Sequence, residues 1–207
     1  MRQVIYAGLC AFGVSACTSI PLTSIPKLSA LEPETMALEK IELAVRVQED
    51  FQLYRDGAVL RLGVDGPVLE EPQELMLELL PSLEELTPYL QREERQGYRI
   101  AMFEVNPDDA ESIRVFREEL LALKARSEGK GKNGFSIAAR AHGCLADGSN
   151  PFQDLRMKLY LRSDSDDEFF TLFKEQRIEV GKSDDGRRGI SYCNEEDTAN
   201  LLWTQSP

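Results

Sequence analysis

The sequence predicts a mainly β, α+β fold: an antiparallel, sandwich-like sheet with one long helix packed on it. Three observations predict it. Several segments alternate apolar and polar residues with the period of two that marks a strand. One segment, opened by Asn106-Pro107-Asp108-Asp109, joins a helix start to a helical apolar stripe. The order along the chain is strands, one long helix, then strands, with no internal repeat and no second domain.

In chain order, Ile41, Leu43, Val45 and Val47 alternate with Glu42, Ala44, Arg46 and Gln48, the pattern of a half-buried strand. AVLRLGV (58–64) repeats it through Leu60, Leu62 and Val64, and Asp56-Gly57 supplies a turn signal in the connection. Asp65-Gly66-Pro67 ends this second strand. Residues 74–80 fit two periods. Leu75, Leu77 and Leu79 alternate, while Leu75, Leu79, Leu83, Leu86 and Leu90 stand at helical spacing. Pro81 and Pro88 oppose one continuous helix, so the reading is a strand to Leu80, then a short helix or an irregular connection over Ser82 to Arg95. YRIAMFEV (98–105) is apolar on both faces and reads as a central strand.

Asn106 then caps a helix, Pro107 suits its first turn, and the following carboxylates face the positive end of its dipole. Ile113, Phe116, Leu120 and Leu123 form the buried stripe, with Lys124 and Arg126 near the C-terminal end and Gly129 as the stop. FSIAARAHGC (135–144) and DLRMKLYLRS (154–163) are strands, the second with Leu155, Met157, Leu159 and Leu161 inward and Arg156, Lys158 and Arg162 outward. Phe169 to Val180 reads as a strand with a break, and the tail from Gly181 is mostly polar.

The N-terminus says where the chain goes. Arg2 precedes Val4 to Val14, eleven residues without a charge. As a helix these rise only roughly 16 Å, short of a ~30 Å hydrocarbon core, which suits the apolar part of a secretory signal and not a span. The stretch ends in Val14-Ser15-Ala16-Cys17. That ending resembles the lipobox of bacterial lipoproteins: an aliphatic residue, two small residues, then cysteine. The resemblance implies cleavage after residue 16, a diacylglycerol on the Cys17 thiol, and a further acyl chain such as palmitate on the new amino group. Each buried methylene contributes about 0.8 kcal/mol, so two or three chains anchor stably where one does not. Thr18, where an Asp would retain such proteins at the inner membrane, implies the outer membrane, facing the periplasm.

This divides the chain into a signal peptide (1–16), a lipidated cysteine with a Ser/Pro tether (17–40, holding Pro21, Pro26 and Pro33) and one globular domain (41–207). The lipobox, the tether, the FEVNPDDA junction (103–110) and the late cysteine pair make the chain similar to small envelope lipoproteins of α-proteobacteria. That likeness implies a location and no activity. Cys10 leaves with the signal, so Cys144 and Cys193 remain as an even pair in an oxidising compartment, where a disulfide is expected.

Cleavage removes Arg2 and so makes the formal charge of −12 one unit more negative. Such a surface argues against nucleic acid, whose phosphates need a basic face, and against broad adsorption to anionic lipid. GKGKNG (129–134) lacks the Ser or Thr and the preceding strand of a phosphate-binding loop. The one histidine, His142, stands two residues before Cys144, and a metal site would need more ligands than this pair supplies. No G-x-S-x-G elbow accompanies it, and a bridged Cys144 is no nucleophile. DSDDE (164–168) lacks EF-hand spacing and reads as a solvated loop. Paired carboxylates could serve a hydrolase, but with 36 acidic residues pairs in sequence carry no signal.

The expected function is therefore non-catalytic, with no cofactor and no metal: an envelope lipoprotein whose β-rich domain binds another envelope component. The alternative is a small-ligand binder with an apolar pocket between sheet and helix, lined by Phe103, Phe116 or Met157.

Overall fold

The computed structural model describes residues 20–29, 31–32, 35–127, 133–149, 154–164, 167–179 and 191–203. Cys10, Cys17 and the whole of residues 1–16, read from the sequence as a signal peptide, lie outside these, as do Gly129 and most of the GKGKNG stretch.

Among the described residues, seven strands form one sheet: β1 (Glu42–Gln48), β2 (Phe51–Asp65), β3 (Gln73–Pro81), β4 (Tyr98–Val105), β5 (Gly134–Leu145), β6 (Asp154–Arg162) and β7 (Phe170–Glu179). Their order is β5-β2-β3-β4-β1-β6-β7, and every neighbouring pair is antiparallel. The helices are α1 (Ile25–Ser29), α2 (Pro88–Glu93) and α3 (Ala110–Ser127). The fold is thus mainly antiparallel β with one long helix, as the sequence predicts. The strands belong to a single curled sheet.

The main core joins residues from all seven strands to the α3 stripe of Ile113, Phe116, Leu120 and Leu123. The α3 entrance is built as its residues dictate. Asn106 Oδ1 accepts from the Asp108 backbone N–H at 3.0 Å, and Pro107 opens a 3-10 turn that runs into the helix. Residues 74–80 resolve as a strand whose Leu75, Leu77 and Leu79 face the core. The connection after it contains the short α2, whose Thr87 hydroxyl caps the Leu90 N–H at 3.4 Å with Pro88 in the first turn.

The structure corrects three expectations. First, β1 is covered on both faces. It is a central strand between β4 and β6, and α2 closes its second face in a smaller core of Ala44, Leu90, Ile100, Met102, Tyr160 and Phe169. Glu42, Ala44 and Arg46, expected on the solvent side, are therefore buried, and so is Arg162 of the neighbouring β6, also expected outward.

Second, Asp56-Gly57 is not a turn between strands. The chain reverses at Glu49-Asp50, and Asp56-Gly57 lies inside β2, where the pairing with β5 shifts register between Leu53 and Ala58. A Cβ on Gly57 would stand 2.6 Å from the His142 carbonyl oxygen, so glycine is required here by close approach in a bulge.

Third, the tether does not run free to residue 40. Leu38 is 0% exposed, Met36 is buried, and Leu28 and Leu31 pack against the core. The Ser24 hydroxyl donates to the Thr171 carbonyl at 2.5 Å, and Arg117 donates to the Met36 carbonyl at 3.1 Å and to Glu39 at 2.9 Å. The segment reaches both outer strands: Leu28 and Leu31 share a cleft with Val64 and Phe135, while Lys27 lies over the Phe170 ring. The described residues from Ser24 to Leu38 thus pack as part of the folded domain.

Candidate interaction surface

A single open sheet has two outer strands, and here they differ in chemistry. β7 carries exposed Lys174, Glu175, Gln176 and Arg177, the charges that deter edge-to-edge pairing. β5 runs for 12 residues (GFSIAARAHGCL) without one carboxylate, proline or lysine. Phe135, Ile137, Ala139 and Ala141 are half-buried toward the core, and Ser136, Ala138, Arg140 and His142 are exposed on the other face. Along residues 134–143 no described strand pairs with its outer edge.

At its C-terminal end that edge is closed. Cys144 and Cys193 form the disulfide expected from the sequence, with Cα atoms 4.9 Å apart. The Leu145 N–H donates to the Ser191 carbonyl at 2.9 Å and the Cys193 N–H to the Leu145 carbonyl at 2.8 Å, so the tail begins to pair where the free edge stops. Residues 194–203 then fold back over β2. Asn194 and Asp197 cap each other's backbone N–H groups at 2.8 and 2.9 Å. The Leu202 N–H donates to the Leu53 carbonyl at 2.8 Å, Arg55 Nε to the Leu201 carbonyl at 3.2 Å, and Asn200 to Asp56 at 2.6 Å. The carboxylate of Asp56, expected in a turn, thus serves to hold the tail.

The Tyr54 hydroxyl donates to Asp197 at 3.0 Å. Burial, reinforced by that hydrogen bond and by the charges of Asp197 and Asp56, pushes the phenol up from 10.0 to about 12. A phenol raised on folding contributes stability that is full below the unfolded value and is lost as pH rises through the folded one. The tail is therefore expected to loosen between pH 10.0 and about 12. Trp203, the one tryptophan, packs its ring 5.6 Å from the Arg99 guanidinium and reports this. Its emission is expected to shift to the red across that window in the wild type, and to show no step there in Tyr54→Phe. A flat wild-type profile would refute the assignment.

A cavity of about 540 Å³ lies between this tail and the sheet, lined by Gln52, Ala146, Asp147, Cys193, Glu195 and Leu201 among others. A second, of about 350 Å³, opens between α3 and β2, lined by Leu28, Leu31, Val64, Leu120, Leu123 and Phe135. Neither is lined by the residues named from the sequence: Phe103 and Phe116 are buried in the main core, and Met157 packs against it. His142 is exposed on β5. Among the described residues no group of three or more His, Cys, Asp or Glu side chains is placed to hold a metal ion. Asp164 of the DSDDE stretch pairs with Lys40 at 3.2 Å, and Asp167 accepts from Ser163 at 2.9 Å.

The strongest electrostatics lie on the opposite face, where sequence reasoning missed them. Arg46, 2% exposed, bonds Glu93 at 3.1 Å and Glu175 at 2.7 Å, and stacks 5.2 Å from the Tyr98 ring centre. Lys158 and the Tyr160 hydroxyl converge on the same Glu93 oxygen at 2.8 and 2.7 Å. Burial pushes the Glu93 carboxyl up, but these hydrogen bonds and the charges of Lys158 and Arg46 outweigh it, leaving it below its ordinary value. Beside it, Arg162 Nε donates to Glu42 at 2.7 Å and Nη2 to Glu84 at 3.3 Å. There burial wins and holds the Glu42 carboxyl above its ordinary value. None of these residues lines either cavity, and the arrangement works as a lock between α2 and the sheet.

Among the described residues no helix is long and apolar enough to cross a membrane. Comparison of the chain with family models, with curated proteins and with solved structures returns no match.

Proposed function

We propose that the chain is an exported, lipid-anchored interaction module of the cell envelope, held by acyl chains on Cys17 and non-catalytic. It docks an extended strand of another envelope protein on the outer edge of β5. The observation that carries this reading is the contrast between the two sheet edges: β7 is charged, whereas β5 offers ten residues of open backbone without a carboxylate. Strand addition at such an edge draws affinity from main-chain hydrogen bonds and specificity from alternate side chains. An incoming strand would extend the row of Phe135, Ile137, Ala139 and Ala141 on the core side. On the other side it would face Arg140 and His142, which favours acidic residues there. The Cys144–Cys193 bridge supports an oxidising compartment, in keeping with the lipobox.

A photo-crosslinking residue placed at Arg140 in living cells tests this. The expected product is one adduct, mapped by mass spectrometry to an alternating, strand-type segment of a second envelope protein. The same reporter at Lys174 on β7 is expected to give none. No adduct at Arg140, an adduct to a helix or loop, or equal adducts at both edges would each overturn the reading.

The about 350 Å³ cleft between α3 and β2 favours a second reading, a small apolar ligand, with lining residues other than those expected from the sequence.

A further inference from the structure

We infer that the domain lies directly on the lipid surface, with Leu22 and Ile25 entering the bilayer interface beside the anchor. The inference rests on the lipid-anchor reading of Cys17 and goes beyond it by assigning a second membrane contact.

Two observations meet here. The first is the short length of chain between Cys17 and the first residue tied to the sheet. A tether reaching residue 40 would let the domain float well above the membrane. Instead Ser24 is tied to β7 through the Thr171 carbonyl, and Leu28 and Leu31 are packed into the core. Only six residues separate Cys17 from Ser24. Fully extended, that stretch spans about 25 Å, and Leu22 can stand no more than about 18 Å from the acylated cysteine.

The second is where the apolar side chains of this segment point. Leu28 and Leu31 face inward, while Leu22 is 79% exposed and Ile25 is 49% exposed. They belong to a run, TSIPLTSIP (18–26), without a charged residue in a chain that is 29% charged. Lys27, the first charge after it, sits at the Phe170 ring, where its stem can lie along the interface with the ammonium in water. Two aliphatic side chains bind a membrane only weakly in free solution. Beside an anchored residue they are held at high local concentration, and the weak contact becomes the populated state. A bilayer is the occupant favoured over a protein partner because the attachment point itself lies in the membrane, within reach of both side chains.

With Cys144 and Cys193 bridged and Cys17 acylated, Leu22→Cys, Ile25→Cys and Leu83→Cys variants each carry one free thiol after signal cleavage. Leu83, 99% exposed on the connection after β3, is the control. All three positions are on the surface, so folding is retained, and Trp203 emission verifies it. The full lipidated chain, purified from membranes and labelled with an environment-sensitive fluorophore, is reconstituted into phosphatidylcholine vesicles containing a doxyl-chain quencher. Flotation with the vesicles is measured on the same samples. The expected result is flotation of all three, loss of most of the emission at positions 22 and 25, and none at 83. A chain that floats while positions 22 and 25 stay as bright as 83 keeps its anchor and overturns the docking face. A chain that does not float overturns the anchor reading and this inference together.

Discussion

Arg46→Ala is expected to lower stability by about 3 kcal/mol, the lower end of the cost of removing one partner from a buried ion pair. For a domain of this size that moves the thermal midpoint down by about 10 °C. The loss has two parts. Arg46 is nearly fully buried between β1 and α2, so its removal leaves a cavity and an unsatisfied Glu93 backbone carbonyl, which now accepts from Nη1 at 3.0 Å. It also strips one cation from the carboxylates of Glu93 and Glu175, which keep Lys158, Tyr160 and Arg156 as partners. The remaining partners are why the cost sits at the lower end. A pH series separates the two parts. In the wild type the Glu93 carboxyl is depressed on folding, so it contributes stability above its unfolded value of 4.5 that is lost as pH falls through the folded value. Without Arg46 the depression shrinks, and the acid-side loss attributable to Glu93 is expected to shrink with it. Glu42, raised on folding, acts with the opposite sign, its penalty relieved as pH falls, and serves as an internal reference. A midpoint shift under about 2 °C would refute the lock.

Cys144→Ala/Cys193→Ala is expected to cost about 4 kcal/mol, from the chain entropy of a loop closed over 49 residues. The loss is not spread evenly. Cys144 is fully buried beside β2, whereas residues 191–203 hold to the sheet by a few hydrogen bonds and the side chains of Leu201, Leu202 and Trp203. Amide exchange is therefore expected to rise by orders of magnitude over 191–203, while α3 and the central strands change only by the global amount. Thermal melts with and without reductant, together with exchange mass spectrometry, check both parts. An unchanged midpoint under reduction would show that the hydrogen bonds and apolar contacts of the tail hold it without the bridge.

What could be read from the sequence was whatever depends on near neighbours. The α3 start at Asn106-Pro107, its stripe from Ile113 to Leu123, and the alternation in β3 are local signals, and the structure places each as read, whereas on β6 only the inward row is as read, because the face of Tyr160 and Arg162 is covered as well. Asp56-Gly57 misled because a turn and a bulge use the same local chemistry; only the approach of the His142 carbonyl, far along the chain, tells them apart. Arg46 looked solvent-facing because its cover comes from α2, in a stretch that local signals left open between helix and irregular connection. Met36 and Leu38 read as tether because nothing in their spacing announces a core position; they join the core beside the α3 stripe. β5 was legible as a strand but not as an edge. That property follows from its pairing with β2 across a long stretch of sequence. The disulfide was legible because reading Cys10 as part of a leader and Cys17 as an anchor leaves a single pair.

The unlike edges of the sheet also fix valency. A sheet with two open edges can add copies at both sides and grow without limit, since a head-to-tail contact that does not close makes a filament. Here, among the described residues, one outer strand is open while the other carries charges of both signs and, at Thr171, the chain's own N-terminal segment. Growth by strand addition therefore ends after one step: a strand that settles on β5 finds no matching open edge at β7, so copies of this sheet have no way to propagate into a filament.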